Sequence, residues 1–120
     1  MLNDLAMLKN MSAMAKHASR RHTVIAENIA NADTPGYKAK DVKPFSEIYA
    51  QSIREERDVA IVSEGSALIL LGGPESVDGN TVSLEGQMLT SAEAVGDHEM
   101  ALALYRKTLD LMKMAINKNS

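Results

Sequence analysis

The 120-residue chain contains no cysteine and no tryptophan. The first absence removes disulfide frameworks, thiol nucleophiles, iron–sulfur sites and cysteine-type zinc sites together. The second belongs to a general shortage of rings: one Phe and three Tyr leave aromatics at 3%. A core must therefore be built from Leu, Ile, Val, Ala and the eight Met, a palette that suits helix packing better than a β-sandwich or barrel. Apolar runs such as Ala67 to Leu71 are far too short to span a bilayer, and the N-terminus lacks the basic segment and continuous apolar core of a cleavable secretory signal. Excess positive charge is missing as well. A formal net charge of −3 does not supply the basic face that a nucleic-acid binder presents. What remains, 45% hydrophobic and 24% charged residues, is ordinary globular composition for one domain at most.

Hydrophobic spacing divides the chain into three parts. Within residues 1–32, Leu8, Met11, Ala15, Ala18, His22, Ile25, Ile29 and Ala32 recur at intervals of three and four, a heptad seam. No Gly or Pro interrupts the segment before Pro35, which predicts one helix of roughly 28 residues, about 42 Å long at 1.5 Å per residue. Residues 83–120 repeat the pattern through Met88, Ser91, Val95, His98, Leu102, Tyr105, Leu109, Met112 and Ile116. A second stripe of Ala101, Leu104, Thr108, Leu111 and Ala115 widens this face beyond what one partner helix needs. Ser83 is placed to cap the N-terminus, with Glu85 in the first turn and Lys113 and Lys118 near the far end.

Residues 33–82 hold all three Pro, five of the seven Gly and a local charge of −4, and show no sustained period. They read as an irregular linker. Within it Val59 to Val62 and Ala67 to Leu71, separated by Ser63-Glu64-Gly65-Ser66, read as a short β-hairpin over 59–71. The expected fold is all-α: two long terminal helices packed as a coiled coil. Such a hairpin has little interior, so order is expected to come with assembly.

The most distinctive stretch is Asn28-Ile29-Ala30-Asn31-Ala32-Asp33-Thr34-Pro35-Gly36-Tyr37. Thr34 before proline is steered out of the helical region, and Pro35-Gly36 suits the centre of a type II turn, so the helix ends here. Asn28 and Asn31 are placed to bond freed backbone groups or a neighbouring helix, and Tyr37 to anchor the turning chain. The stretch resembles the signature closing the N-terminal helix of the flagellar rod, hook and hook-associated proteins. A second run, Asp78-Gly79-Asn80-Thr81-Val82-Ser83-Leu84-Glu85-Gly86-Gln87-Met88, with the short length, resembles the small rod proteins of that superfamily.

The resemblance implies a structural, non-enzymatic role without cofactor, metal or small-molecule substrate. It implies a periplasmic rod of the basal body, export through the flagellar type III apparatus without a cleaved signal, and torque transmission. Implied partners are copies of the chain, other rod proteins, the adaptor FliE and the membrane-supramembrane ring. Asn28, Asn31, Asp33, Thr34, Pro35, Gly36 and Tyr37 would be the assembly motif. Leu8, Met11, Ile25, Ile29, Val95, Leu102, Tyr105, Leu109, Met112 and Ile116 would pack the helices. Phe45, with the apolar Tyr49 four residues on, resembles the element read by the export gate.

His17 and His22 are five apart and diverge on a helix, which argues against a metal site; His22 and His98 occupy seam positions and read as register-fixing polar residues. Met7, Met11 and Met14 read as adaptable core. Two other readings stay open: a sister rod protein of the same superfamily, and a soluble helical hairpin acting as an export chaperone or adaptor.

Overall fold

The computed structural model describes residues 2–118; residue 1 and residues 119–120, the extremities of the two expected helical segments, lie outside the described residues. Helix α1 runs over Leu2–Ala30 and helix α4 over Leu84–Lys118. They pack antiparallel along a slab of 67 × 28 × 15 Å. Gly96 lies inside α4 without breaking it. Tertiary packing thus outweighs the roughly 1 kcal/mol helical penalty of a glycine.

Between the long helices the chain is more regular than its composition suggests. A two-residue strand β1, Lys40–Asp41, is followed by helix α2, Phe45–Glu55, and helix α3, Val59–Gly65, then strand β2, Ile69–Leu70. The strands pair antiparallel, Lys40 opposite Leu70 and Asp41 opposite Ile69. The small sheet expected in the middle is therefore present, but the hairpin over 59–71 is not. Asp58 caps α3 through a bond from the Ala60 N–H at 2.8 Å. Val59 and Val62 then share the buried face at helical spacing, while Ile61 between them is 55% exposed. An extended strand would have put Val59 and Ile61 on one face.

Helix α2 also escapes a reading by composition. Ile48 and Ser52, four apart, are buried, and the helix closes in a Schellman arrangement: the Glu56 N–H bonds the Ile53 carbonyl and the Arg57 N–H the Ser52 carbonyl. Glu56 holds the left-handed conformation there at φ 51°. The main hydrophobic cluster joins Ala13 of α1, Ile48 of α2 and Val59 and Val62 of α3, flanked by Phe45 and Ala60. The linker thus supplies most of the interior that two helices alone lack.

Polar contacts fasten this layer to α1. The His17 ring N–H donates to the Lys43 carbonyl at 2.7 Å and meets the Phe45 ring edge-on at 5.5 Å. Arg20 donates to the carbonyls of Ser63 and Ser66 at 2.9 and 2.8 Å, satisfying acceptors freed at the C-terminal end of α3. Arg21 binds both carboxylate oxygens of Asp41 at 3.1 Å and reaches Glu93 of α4 at 3.3 Å. Burial alone would lower the Arg21 pKa, but the bonds and charges of Asp41 and Glu93 outweigh it and raise the value.

Candidate functional site

Two stretches singled out in the sequence meet at one corner. Helix α1 ends as Asn31 donates from its side chain to the Glu27 carbonyl at 2.8 Å and accepts from the Thr34 hydroxyl at 3.0 Å. Thr34 to Tyr37 form the expected turn: the Tyr37 N–H bonds the Thr34 carbonyl, and Gly36 takes φ 74°, a conformation that costs a side-chain-bearing residue about 1 to 2 kcal/mol. Asp33 and Pro35 are exposed on its outer side.

The second stretch clasps this turn from across the chain. Asn80, nearly buried, donates to the carbonyls of Asn31 at 2.9 Å and Thr34 at 2.7 Å, while its own side-chain oxygen accepts the Val82 N–H. The Gly36 N–H bonds the Asp78 carbonyl at 2.9 Å, the Thr81 N–H bonds Tyr37, and the Ala39 N–H bonds the Thr81 hydroxyl. Gly79 takes φ 83° and packs against the turn, where a β-carbon would make an ordinary contact of 3.6 Å with the Gly36 Cα. Bonds from the Ser76 hydroxyl and the Asn80 N–H hold the exposed Asp78 carboxyl below its usual pKa. Ser83 then caps α4 by accepting the Gly86 N–H, as its position predicted.

Behind the turn lies Asn28, fully buried at 0% exposure. Its side-chain nitrogen donates to the Lys40 carbonyl at 2.7 Å and to Gln87 Oε1 on α4 at 3.0 Å. Its oxygen accepts from the Tyr37 hydroxyl and the Lys40 N–H, each at 3.1 Å. One amide therefore joins α1, the turn, β1 and α4, and its hydrogen-bonding capacity is used in full. Burial, then the nearby Glu27 charge, raises the Tyr37 pKa, and the Lys40 ammonium stands 5.9 Å from its ring. Gln87 is not among the residues expected to pack the helices; its signal is its place in the second distinctive run, four residues after the capping Ser83.

The helix faces differ from expectation in a consistent way. On α4 the buried residues are Gln87, Ala94, Ala101 and Thr108, at heptad spacing, with Ser91, His98, Tyr105 and Met112 half-buried between them. The expected Leu102 and Leu109 are half-buried beside this seam, and Val95 and Ile116 are exposed. On α1, Ile25 is buried, Leu8 and Met11 half-buried, and Ile29 exposed; His22 is exposed too, but lines one groove with His98. A second buried face of α1, Ala13, His17, Val24 and Asn28, has helical spacing but no apolar signal, because His17 and Asn28 are polar and bond the linker segment and α4. Phe45 packs against the core and Tyr49 faces solvent on α2.

A family model described as flagella basal body rod protein matches residues 7–38, which span most of α1 and the turn that closes it. Among curated relatives, the FlgB rod protein of Salmonella typhimurium strain LT2 is 31% identical over 84% of this chain and 85% of its own length. FlgB of Cereibacter sphaeroides is 31% identical over 80% of this chain and 82% of its own, and FlgB of Agrobacterium fabrum 28% identical over 98% and 97%. The chain belongs to the FlgB family, structural components of the basal-body rod. Among its described residues no helix is long and apolar enough to cross a membrane.

Proposed function

We propose that this chain builds the proximal part of the flagellar rod, packing its terminal helices against copies of itself and against other rod proteins to carry torque. The carrying observation is which side chains remain outside. The intrachain seam of α4 is small or polar, whereas Met88, Val95, Leu104, Leu111, Met114 and Ile116 are exposed along the same helix. Large apolar side chains in such number gain about 25 cal/mol per Å² when a neighbour covers them, which favours polymer over monomer. The adaptor FliE and the membrane-supramembrane ring are the proposed neighbours at the inner end. Export through the type III apparatus into the periplasm is part of the same reading, with Phe45 and Tyr49 as the recognition element. Phe45 is half-buried against the core beside His17, so unfolding for export would free it for recognition.

The test is a Leu104→Asp/Leu111→Asp chain supplied to cells lacking the native protein. Both sites are exposed in the single chain, so helicity by circular dichroism should be kept while swimming is lost. Normal swimming overturns the assembly reading. For export, Phe45→Ala should lower the secreted amount at least severalfold; unchanged secretion removes that element.

A further inference from the structure

The rotational setting of α4 is not the one its hydrophobic pattern prefers. Met88, Val95, Leu102, Leu109 and Ile116 form an unbroken apolar stripe next to the buried Gln87, Ala94, Ala101 and Thr108. Ser91, His98, Tyr105 and Met112 border both stripes and belong to the contact either way. At 3.6 residues per turn, neighbouring stripes lie about 100° apart, so a roll of α4 by about 100° would exchange the small stripe for the large one while leaving the axis in place. Burying the larger side chains would remove more apolar surface from water. Yet in the folded chain Ala94 is 1% exposed and Val95 44%.

One contact is incompatible with that roll. Gln87 belongs to the small stripe, and its Oε1 accepts from the Asn28 amide at 3.0 Å, inside the molecule. An amide about 6 Å from the helix axis would swing by roughly 9 Å in a roll of about 100°, well beyond hydrogen-bond reach. Asn28 cannot follow, because its other bonds run to Lys40 and Tyr37 and it is wholly buried. The roll would leave a buried N–H without an acceptor, and that penalty opposes the gain in apolar burial. We infer that the Asn28–Gln87 amide pair is the rotational lock of α4, holding its large apolar stripe outward and its alanine stripe inward.

Gln87 is thus a positioning residue: buried within its own chain, it decides which face of α4 a neighbour meets. The lock is a property of the single chain. Its consequence for assembly rests on the rod reading above, and the two are tested separately.

The chain has no native cysteine, so single cysteines report on each face without background. Ala94→Cys and Val95→Cys are placed in the full chain, alone and with Gln87→Met, and maleimide labelling rates are compared. With Gln87 present, position 95 should label at least tenfold faster than position 94. With Gln87→Met, which keeps the side-chain length and removes the acceptor, the ratio should fall about tenfold or more, toward unity or inversion. Gln87→Glu, which supplies an acceptor to the same N–H, should restore the original ratio. An unchanged ratio in Gln87→Met overturns the inference. A loss of helicity in Gln87→Met overturns it as well, because the bond would then hold the helix on rather than aim it. Should the ratio respond as expected while Gln87→Met cells swim normally, the lock stands and the assembly reading fails.

Discussion

Asn80 donates its side-chain amide to the carbonyl of Thr34 at 2.7 Å, across 46 residues of chain. The same nitrogen serves the Asn31 carbonyl, so the last turn of α1 and the approach to α4 are stitched by one side chain with little exposure. Asn80→Ala removes these bonds and takes the acceptor from the Val82 N–H, an expected loss of about 2 to 3 kcal/mol. Urea unfolding of the purified chain measures it, and a loss below about 0.5 kcal/mol would contradict the assigned role.

Tyr37 donates its hydroxyl to Asn28 Oδ1, and its pKa is raised above the ordinary value of 10.0. A raised pKa in the folded state means that the folded chain holds this proton more tightly than the unfolded one. The stabilisation is therefore complete below about pH 10, the unfolded value, and disappears as pH climbs through the higher folded value. Stability measured from pH 8 to pH 11 should fall at the alkaline end. Tyr37→Phe should be less stable at pH 8 and show a shallower alkaline fall; parallel curves for the two proteins would refute this.

Ile48 is 0% exposed in the cluster shared by α1, α2 and α3. Truncation to Ala should cost about 2 to 5 kcal/mol by loss of burial plus cavity formation. Ile61→Ala, one turn of chemistry away on the exposed side of α3, should change stability by less than about 0.5 kcal/mol. Equal effects in denaturant titration would return Val59 to Val62 to an extended conformation.

Glu56 occupies the left-handed cap of α2 at φ 51°, where a β-carbon is disfavoured. Glycine there removes a strain of about 1 to 2 kcal/mol and adds about 0.5 to 1 kcal/mol of unfolded-state entropy. Glu56→Gly should therefore stabilise the chain by roughly 0.5 to 1 kcal/mol, read as a rise in thermal midpoint. A fall would show that the Glu56 side chain contributes more than its backbone costs.

The long helices were legible because each carries its own evidence: an uninterrupted 3,4 pattern in α1, a capping Ser83 and a double stripe in α4. The turn after Asn31 was legible for the same local reason, since Pro35 and Gly36 restrict the backbone whatever surrounds them. Helices α2 and α3 were not. Val59 to Val62 is too short for its period to separate strand from helix, and the Asp58 cap that decides it is a single side-chain bond.

Sequence alone therefore determined the C-terminal stop of α1, the turn after it and the family, because local backbone preference and residue identity suffice for those. Tertiary structure decided which stripe of α4 turns inward. The hydrophobic pattern favours the larger stripe, and contacts between residues far apart in sequence override it: the meeting of Asn28 with Gln87, and the close approach that Ala94 and Ala101 permit.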